Sequence, residues 1–497
     1  MVAEFAIMAT LYLSGALLAA SLGLRRFGIA AFAFLGALFL FVTIGFLQVV
    51  AGLPTNPIWT LAAVAVFSVL FWWWRPILVS RPALTADLVW TLSPLVLIGL
   101  VVGLSYFFNP VKYHIDSFRY LLSAWLLADG NYQDLASLNL LTKRNLTVPI
   151  MHSIGRLFGE GYSRSVTPLL SLSLLSALVW FYAAGTKLMA TRAQRWIVGV
   201  LLVLLLVSTN RYVFHSFYLN GHLFFAACFV VIAASGWLLA TTDREVPCTA
   251  LLAIAMVSLP ALIVTRPEAP LMALLALAPM MLSASVPWRS RALVLAVYGI
   301  STMLWSGYIV IAYFEQEGAA PFSATGLLIL GVVAVAAAPL LMWSYLSRVG
   351  RVLLVLTEGI LWLALIGLAV RKPEVLTVSL SATYQNLVVG NGKWGSSIMM
   401  LSALVLLALA FCREKSLIYL RFPVTASIPL FFLLAYFREG PYRVGAGDSL
   451  NRMLIQIVPL AVLYIAVAAT SERWAVPSWV SGRIAPFRDG PRTAALS

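Results

Sequence analysis

The stretch KYHIDSFRY, beginning at Lys112, places His114, Asp116 and Arg119 close together, directly behind an apolar run. A carboxylate within hydrogen-bond reach of a hydroxyl can take its proton as that oxygen attacks. A guanidinium can hold an anionic oxygen through paired hydrogen bonds. The same residues have plainer uses. Asp116 precedes an apolar helical pattern and also reads as a helix N-cap, and a lone histidine such as His114 is more often structural than catalytic.

The surroundings decide what such a group can act on. Of 497 residues, 62% are hydrophobic and only 10% charged, against roughly a quarter charged in an ordinary soluble domain. Apolar runs long enough to cross a bilayer recur along the whole chain. The fold class predicted is therefore an all-α polytopic membrane protein. The net charge of +15 comes from Lys and Arg scattered at span ends, which argues for loop anchoring rather than nucleic-acid binding. Cys228, Cys248 and Cys412 match no metal spacing and no disulfide framework. The N-terminus MVAEF lacks a basic n-region, so the first run reads as a retained span.

About fifteen spans are predicted by the length rule, near 5–24, 28–51, 58–74, 89–107, 165–185, 196–209, 213–240, 248–265, 269–285, 292–314, 324–345, 352–370, 396–412, 424–437 and 453–470. Those near 196–209, 269–285 and 424–437 are short. Basic residues mark every second connection: Arg25 and Arg26, Arg75 and Arg81, Lys187 to Arg195, Arg244, Arg289 and Arg291, Arg348 and Arg351, Arg413 and Lys415, and the tail from Arg473. The positive-inside rule makes that side cytoplasmic, with the N-terminus outside and the C-terminus inside. The opposite side holds the longer loops and most of the acids. They are 108–164, the corners at Arg211 and at Arg266-Pro267-Glu268, 315–323, 371–395 and 438–452. Function is expected on this outer face.

Within the outer loop 108–164, Phe118, Leu121, Leu122 and Trp125 recur at helical spacing, ending at Asp129-Gly130. Ile150, Ile154, Leu157 and Phe158 form a second stripe between Pro149 and Gly159. Both are too short to span and are expected to be helices lying in the membrane interface. An Asp just after a span, an interfacial helix ending in ADG, a Pro-containing link and a second such helix together resemble the first outer loop of the GT-C glycosyltransferases. TRPEAP (Thr265 to Pro270) resembles an Arg-Pro-Glu corner of that family, and GDSLNRM (Gly447 to Met453) resembles its late Arg element. The resemblance covers roughly 88–470. It leaves 1–87 as additional N-terminal spans and 471–497 as a basic cytoplasmic tail.

The resemblance implies a GT-C-like bundle that moves a sugar from a polyprenyl-phosphate carrier to a glycan, lipid or protein acceptor. The inner (plasma) membrane is the expected location, with the active site facing the periplasm. Asp116 would be the general base of an inverting displacement. His114, Arg119, Arg211, Arg266, Glu268, Lys393, Arg443 and Arg452 would bind substrate or phosphate. Arg266 and Glu268 read equally as a salt bridge capping two spans, and the basic residues equally as headgroup anchors. Asp116, Glu268 and Asp448 can in principle share a divalent cation through oxygen ligands, although no spacing demands one. Tyr113, Trp125, Tyr384, Trp394 and Tyr442 are candidates for stacking on a sugar ring or for an interfacial aromatic belt. Glu358, alone inside a span, is expected to face the bundle interior. Two other classes compete. An O-antigen ligase or polymerase also uses Arg and His on outer loops. A lipid-linked substrate transporter or flippase would show internal repeats and charges near the bilayer middle.

Overall fold

The computed structural model describes residues 1–74, 84–112, 115–138, 140, 146–187, 189, 191–241, 246–314, 348–437 and 440–471. Side chains are described at all of these except 84–88, 115–116 and 311–314. The described chain is almost entirely helical, with a single isolated bridge between Lys112 and Tyr218. Helices dominate because, away from water, each backbone N–H must find its acceptor within its own segment.

In chain order the helices are α1 (Val2–Ser21), α2 (Phe27–Val50), α3 (Pro57–Trp74), α4 (Leu84–Phe108), α5 (Ile115–Ala128), α6 (Tyr132–Ser137) and α7 (Thr147–His152). After a 3-10 turn (Ser153–Phe158) come α8 (Val166–Thr186), α9 (Arg192–Val207), α10 (Asn210–His215), α11 (His222–Ala240), α12 (Cys248–Ile263), α13 (Ala269–Met281) and α14 (Trp288–Phe314). The chain continues with α15 (Gly350–Arg371), α16 (Pro373–Leu387), α17 (Ser397–Phe411), α18 (Ile418–Phe437), α19 (Ser449–Met453) and α20 (Val458–Thr470).

Among the described residues, nine helices are long and apolar enough to cross a membrane. A tenth arises if Ser449–Gln456 and Val458–Thr470, bent by 44°, count as one span. The expected number of about fifteen is not confirmed among the described residues. The span expected at 324–345 lies outside the described residues. Helices α12, α13 and α17 run 16, 13 and 15 residues. At 1.5 Å per residue these fall short of a hydrocarbon core about 30 Å thick. The run near 424–437 is a full 20-residue helix, because it starts earlier, at Ile418. The run at 213–240 is two elements: α10 stops at His215, and Asn220 Oδ1 accepts the His222 N–H at 3.0 Å to start α11. The stretch 371–395, expected as loop, contains α16.

Helix α11 is the axis. It is apolar on every side, and every residue from His222 to Leu239 is buried. All-round hydrophobicity requires all-round packing, and α8, α12, α13, α18 and α20 supply it. Helices α1 and α2 belong to the same body, so no packing boundary falls at residue 87. Phe32 meets Trp180 and Phe181 edge-on at 5.0 and 5.4 Å, and Phe39 meets Phe224 at 5.4 Å. Glu4, fully buried in α1, accepts from the Ser165 N–H at 3.0 Å, from Ser165 Oγ at 2.7 Å and from Ser163 Oγ.

The two expected interfacial helices diverge. In α5, Ser117, Tyr120, Ala124 and Leu127 are buried, while Phe118, Leu122 and Trp125 are exposed. An apolar stripe facing away from the protein suits a membrane interface. The second segment is buried instead: Ile150 and Ile154 are about fully enclosed, with Ile150 pressed on Gly45 of α2. It is enclosed because α2 covers it.

Helices α1 and α2 approach through Gly15, where an added Cβ would stand 1.7 Å from the Ala33 carbonyl oxygen. At Gly36 a Cβ would meet only a Leu18 methyl at 3.6 Å, an ordinary contact. Gly15→Ala is therefore expected to destabilise by about 1–3 kcal/mol, whereas Gly36→Ala stays close to wild type. Thermal unfolding of the two variants in detergent checks this, and equal melting temperatures would refute the packing argument.

Candidate functional site

The loops predicted on one side gather at one end of the bundle. The Thr55 N–H donates to Leu127 O at 2.9 Å, joining the α2–α3 connection to α5. Thr147 Oγ1 reaches Val264 O at 3.5 Å, and the Lys112 N–H donates to Phe217 O at 2.7 Å. Asn386 Nδ2 donates to Arg443 O at 2.9 Å and its Oδ1 accepts from the Gly445 N–H at 2.7 Å.

Arg211 lies at the centre of this end. It is 4% exposed. Its Nε donates to Gly392 O at 2.7 Å, and Nη2 donates to Ala446 O. One guanidinium thus clasps two loops far apart in sequence. Asn451 reinforces the clasp: its Nδ2 donates to Gly392 O at 3.1 Å and its Oδ1 accepts from the buried Trp394 Nε1. Gly392 must be glycine, since a Cβ would meet Asn386 O and the Asn451 amide at 2.6 Å. Burial, and then the neighbouring Arg452 charge, push the Arg211 pKa down to about 10, so it stays protonated near neutral pH.

Two histidines meet beside it. His215 Nδ1 lies 2.7 Å from Arg211 O. A carbonyl only accepts, so Nδ1 carries the proton and Nε2 is left with its lone pair. The His215 ring centroid is 5.9 Å from that of His222. Arg266 Nη1 stands 3.1 Å from both His222 ring nitrogens, and Gln456 Nε2 stands 3.1 Å from His222 Nδ1. Arg266 Nε pairs with Glu268 at 2.7 Å, and Glu268 is 2% exposed. Arg452, on the short helix α19, is close enough to act electrostatically on Arg211 and His215. Three guanidinium groups thus share this end, one of them paired with Glu268, an arrangement that favours an anion.

Arg211, Arg266, Glu268 and Arg452 are therefore brought together. Arg119, Lys393 and Arg443 are not: their side chains are exposed. His114 and Tyr113 lie outside the described residues, and of Asp116 only the backbone is described, in the first turn of α5. Lys112, four positions ahead of it, bonds Phe217, so the Asp116 backbone lies within about 14 Å of Lys112, which is held to the turn linking His215 to His222. Asp448 has a structural role. Its Oδ1 accepts from the Arg443 N–H at 2.8 Å, and its Oδ2 from Leu450 and Asn451 N–H at 3.0 and 3.3 Å, capping α19. With Glu268 bound to Arg266, two of the three expected cation ligands are committed elsewhere. Among the described residues no three His, Cys, Asp or Glu side chains converge on a metal site. Trp394 and Tyr442 are buried and so cannot stack on a sugar, whereas Trp125 and Tyr384 are exposed.

His215, His222 and Gln456 were not singled out from sequence. The available signal was that two of only four histidines fall at the mouth of one apolar run. No protein-family model, curated protein or solved structure matches this chain.

Glu268→Ala would leave the half-buried Arg266 without its carboxylate, and a loss of about 2–3 kcal/mol is expected. Arg266→Met combined with Glu268→Leu should recover most of it, as thermal unfolding in detergent would show. A double variant no better than the single one would contradict the pairing. Stability should also depend on pH. Burial holds His152 at about 4 and His215, aided by Arg211 and Arg452, at about 3, below an ordinary value of about 6.5. The unfolded chain takes up these protons first, so stability is complete above about pH 6.5 and falls as pH drops towards 4. Melting temperature should decline from pH 7 to 5, and His152→Leu should flatten that decline.

Proposed function

We propose that the chain is an integral membrane glycosyltransferase that moves a sugar from a polyprenyl-phosphate carrier to an acceptor hydroxyl. The observation carrying this reading is the convergence of Arg211, Arg266 and Arg452 around His215 and His222, beside the turn that anchors the start of α5. A phosphate leaving group needs fixed positive charge in a poorly screened place, and three guanidiniums provide it.

In this reading the acceptor oxygen attacks the anomeric carbon from the face opposite the phosphate. The new C–O bond forms as the anomeric C–O phosphate bond breaks. The electron pair leaves with the phosphate oxygen, which the guanidiniums hold, and the acceptor proton passes to the Asp116 carboxylate. One displacement inverts the anomeric centre. The exposed apolar stripe of α5, Phe118, Leu122 and Trp125, would rest against the carrier's hydrocarbon. By the positive-inside rule this end would lie on the outer face of the plasma membrane, where sugar nucleotides are not expected and a lipid-linked donor is the logical source.

The paired imidazoles favour a second reading, a ligase or polymerase of O-antigen type, in which Arg and His rather than a carboxylate serve the transfer. Asp116→Asn and Arg452→Gln separate the two. Purified protein is given radiolabelled polyprenyl monophosphate sugars or diphosphate-linked glycans, with membrane extract as acceptor. The first reading expects transfer from the monophosphate donors, a fall of about 100-fold or more in Asp116→Asn, and a similar fall in Arg452→Gln. Transfer only from diphosphate-linked glycan, unaffected by Asp116→Asn, would replace it with the second. No transfer from either donor would remove both.

A further inference from the structure

The opposite end of the bundle carries a second cationic site. A cleft with about 590 Å³ of empty space opens where α15, α17, α18 and α20 end or begin. Arg351, Arg413, Lys415 and Arg421 line it against one carboxylate, Glu414. Glu414 Oε1 already accepts from the Ser416 N–H and Oγ at 3.1 and 3.0 Å. Glu358, the isolated acid of α15, reaches Arg421 Nη2 at 2.9 Å, holding that guanidinium from behind. Arg421 Nε is buried and makes no hydrogen bond.

The depth of these groups fits a membrane surface. Arg351 is the second residue of α15 and Arg421 the fourth of α18, each within about 6 Å of its helix start at 1.5 Å per residue. Basic pockets between spans at this level suit phosphorylated headgroups.

We propose that this cleft binds a phosphate-bearing anion at the membrane surface opposite the candidate active site. A phospholipid headgroup and free phosphate share the chemistry; the site's lateral position between helix ends favours the headgroup. The proposal is independent of the transferase reading.

The test uses the full chain purified in a zwitterionic detergent and a variant combining Arg351→Gln, Arg413→Gln and Lys415→Gln. Arg421 is left in place so that Glu358 keeps its partner. Native mass spectrometry measures retention of added phosphatidylglycerol, with phosphatidylcholine as reference and inorganic phosphate as competitor. Wild type should retain phosphatidylglycerol selectively. The triple variant should bind it about 100-fold more weakly, at about fivefold for each basic residue, while its elution profile and melting temperature in phosphatidylcholine stay unchanged. Displacement by millimolar phosphate would assign the site to the free anion, and resistance to it would assign the site to the headgroup. Equal retention of phosphatidylglycerol by wild type and variant, or no selectivity in wild type together with no stabilisation by phosphate, would overturn the proposal.

Discussion

The organising constraint is the complete burial of α11. A helix without a polar face has to be enclosed, and five other helices close around it. Enclosure also leaves its first residue, His222, at the meeting point of the connections that cap those neighbours. The polar cluster is thus a consequence of the apolar axis. Arg266 comes from the turn after α12, Gln456 from the bend before α20 and His215 from the turn just before α11 itself.

Around that point the electrostatics are unbalanced in one direction. Glu268 answers Arg266, but Arg211 is held by backbone carbonyls, which supply partial charge and no full neutralisation. Asp448, the nearest acid in sequence to Arg452, has both oxygens engaged by backbone N–H groups and caps the helix that carries Arg452. A buried cation such as Arg211 is costly in a medium of low polarity. Under the proposed function, an anionic ligand would offset that cost. The exposed Arg119, Lys393 and Arg443 carry none of that cost and fit headgroup anchoring.

The two ends of the bundle contrast. At one, long loops interlock through amide side chains and backbone carbonyls. At the other, short connections leave an open cleft framed by Arg351, Arg413 and Lys415. Glu358 links α15 to α18 here through Arg421. Both ends are cationic, but one is closed by protein and the other faces outward.

The sequence alone determined that the chain is helical and built for a membrane, because apolar content and run length are local quantities that lipid reads directly. It also marked the corners at Arg211, Arg266 and Arg452, since ionisable residues at span ends stand out against apolar flanks. Three things only the tertiary structure decided. His215 and His222 look like ordinary residues of an apolar run until the break at 216–221 sets His222 against Arg266 and Gln456 and His215 against Arg211 and the His222 ring. The segment 147–158 carries an interfacial pattern, yet α2 buries it, and nothing local announces that neighbour. Asp448 has the residue type of a ligand, but the fold makes it a cap. Composition and periodicity report what a residue is and where its helix runs, whereas site membership depends on contacts between segments hundreds of positions apart, and those are set by how the helices enclose α11.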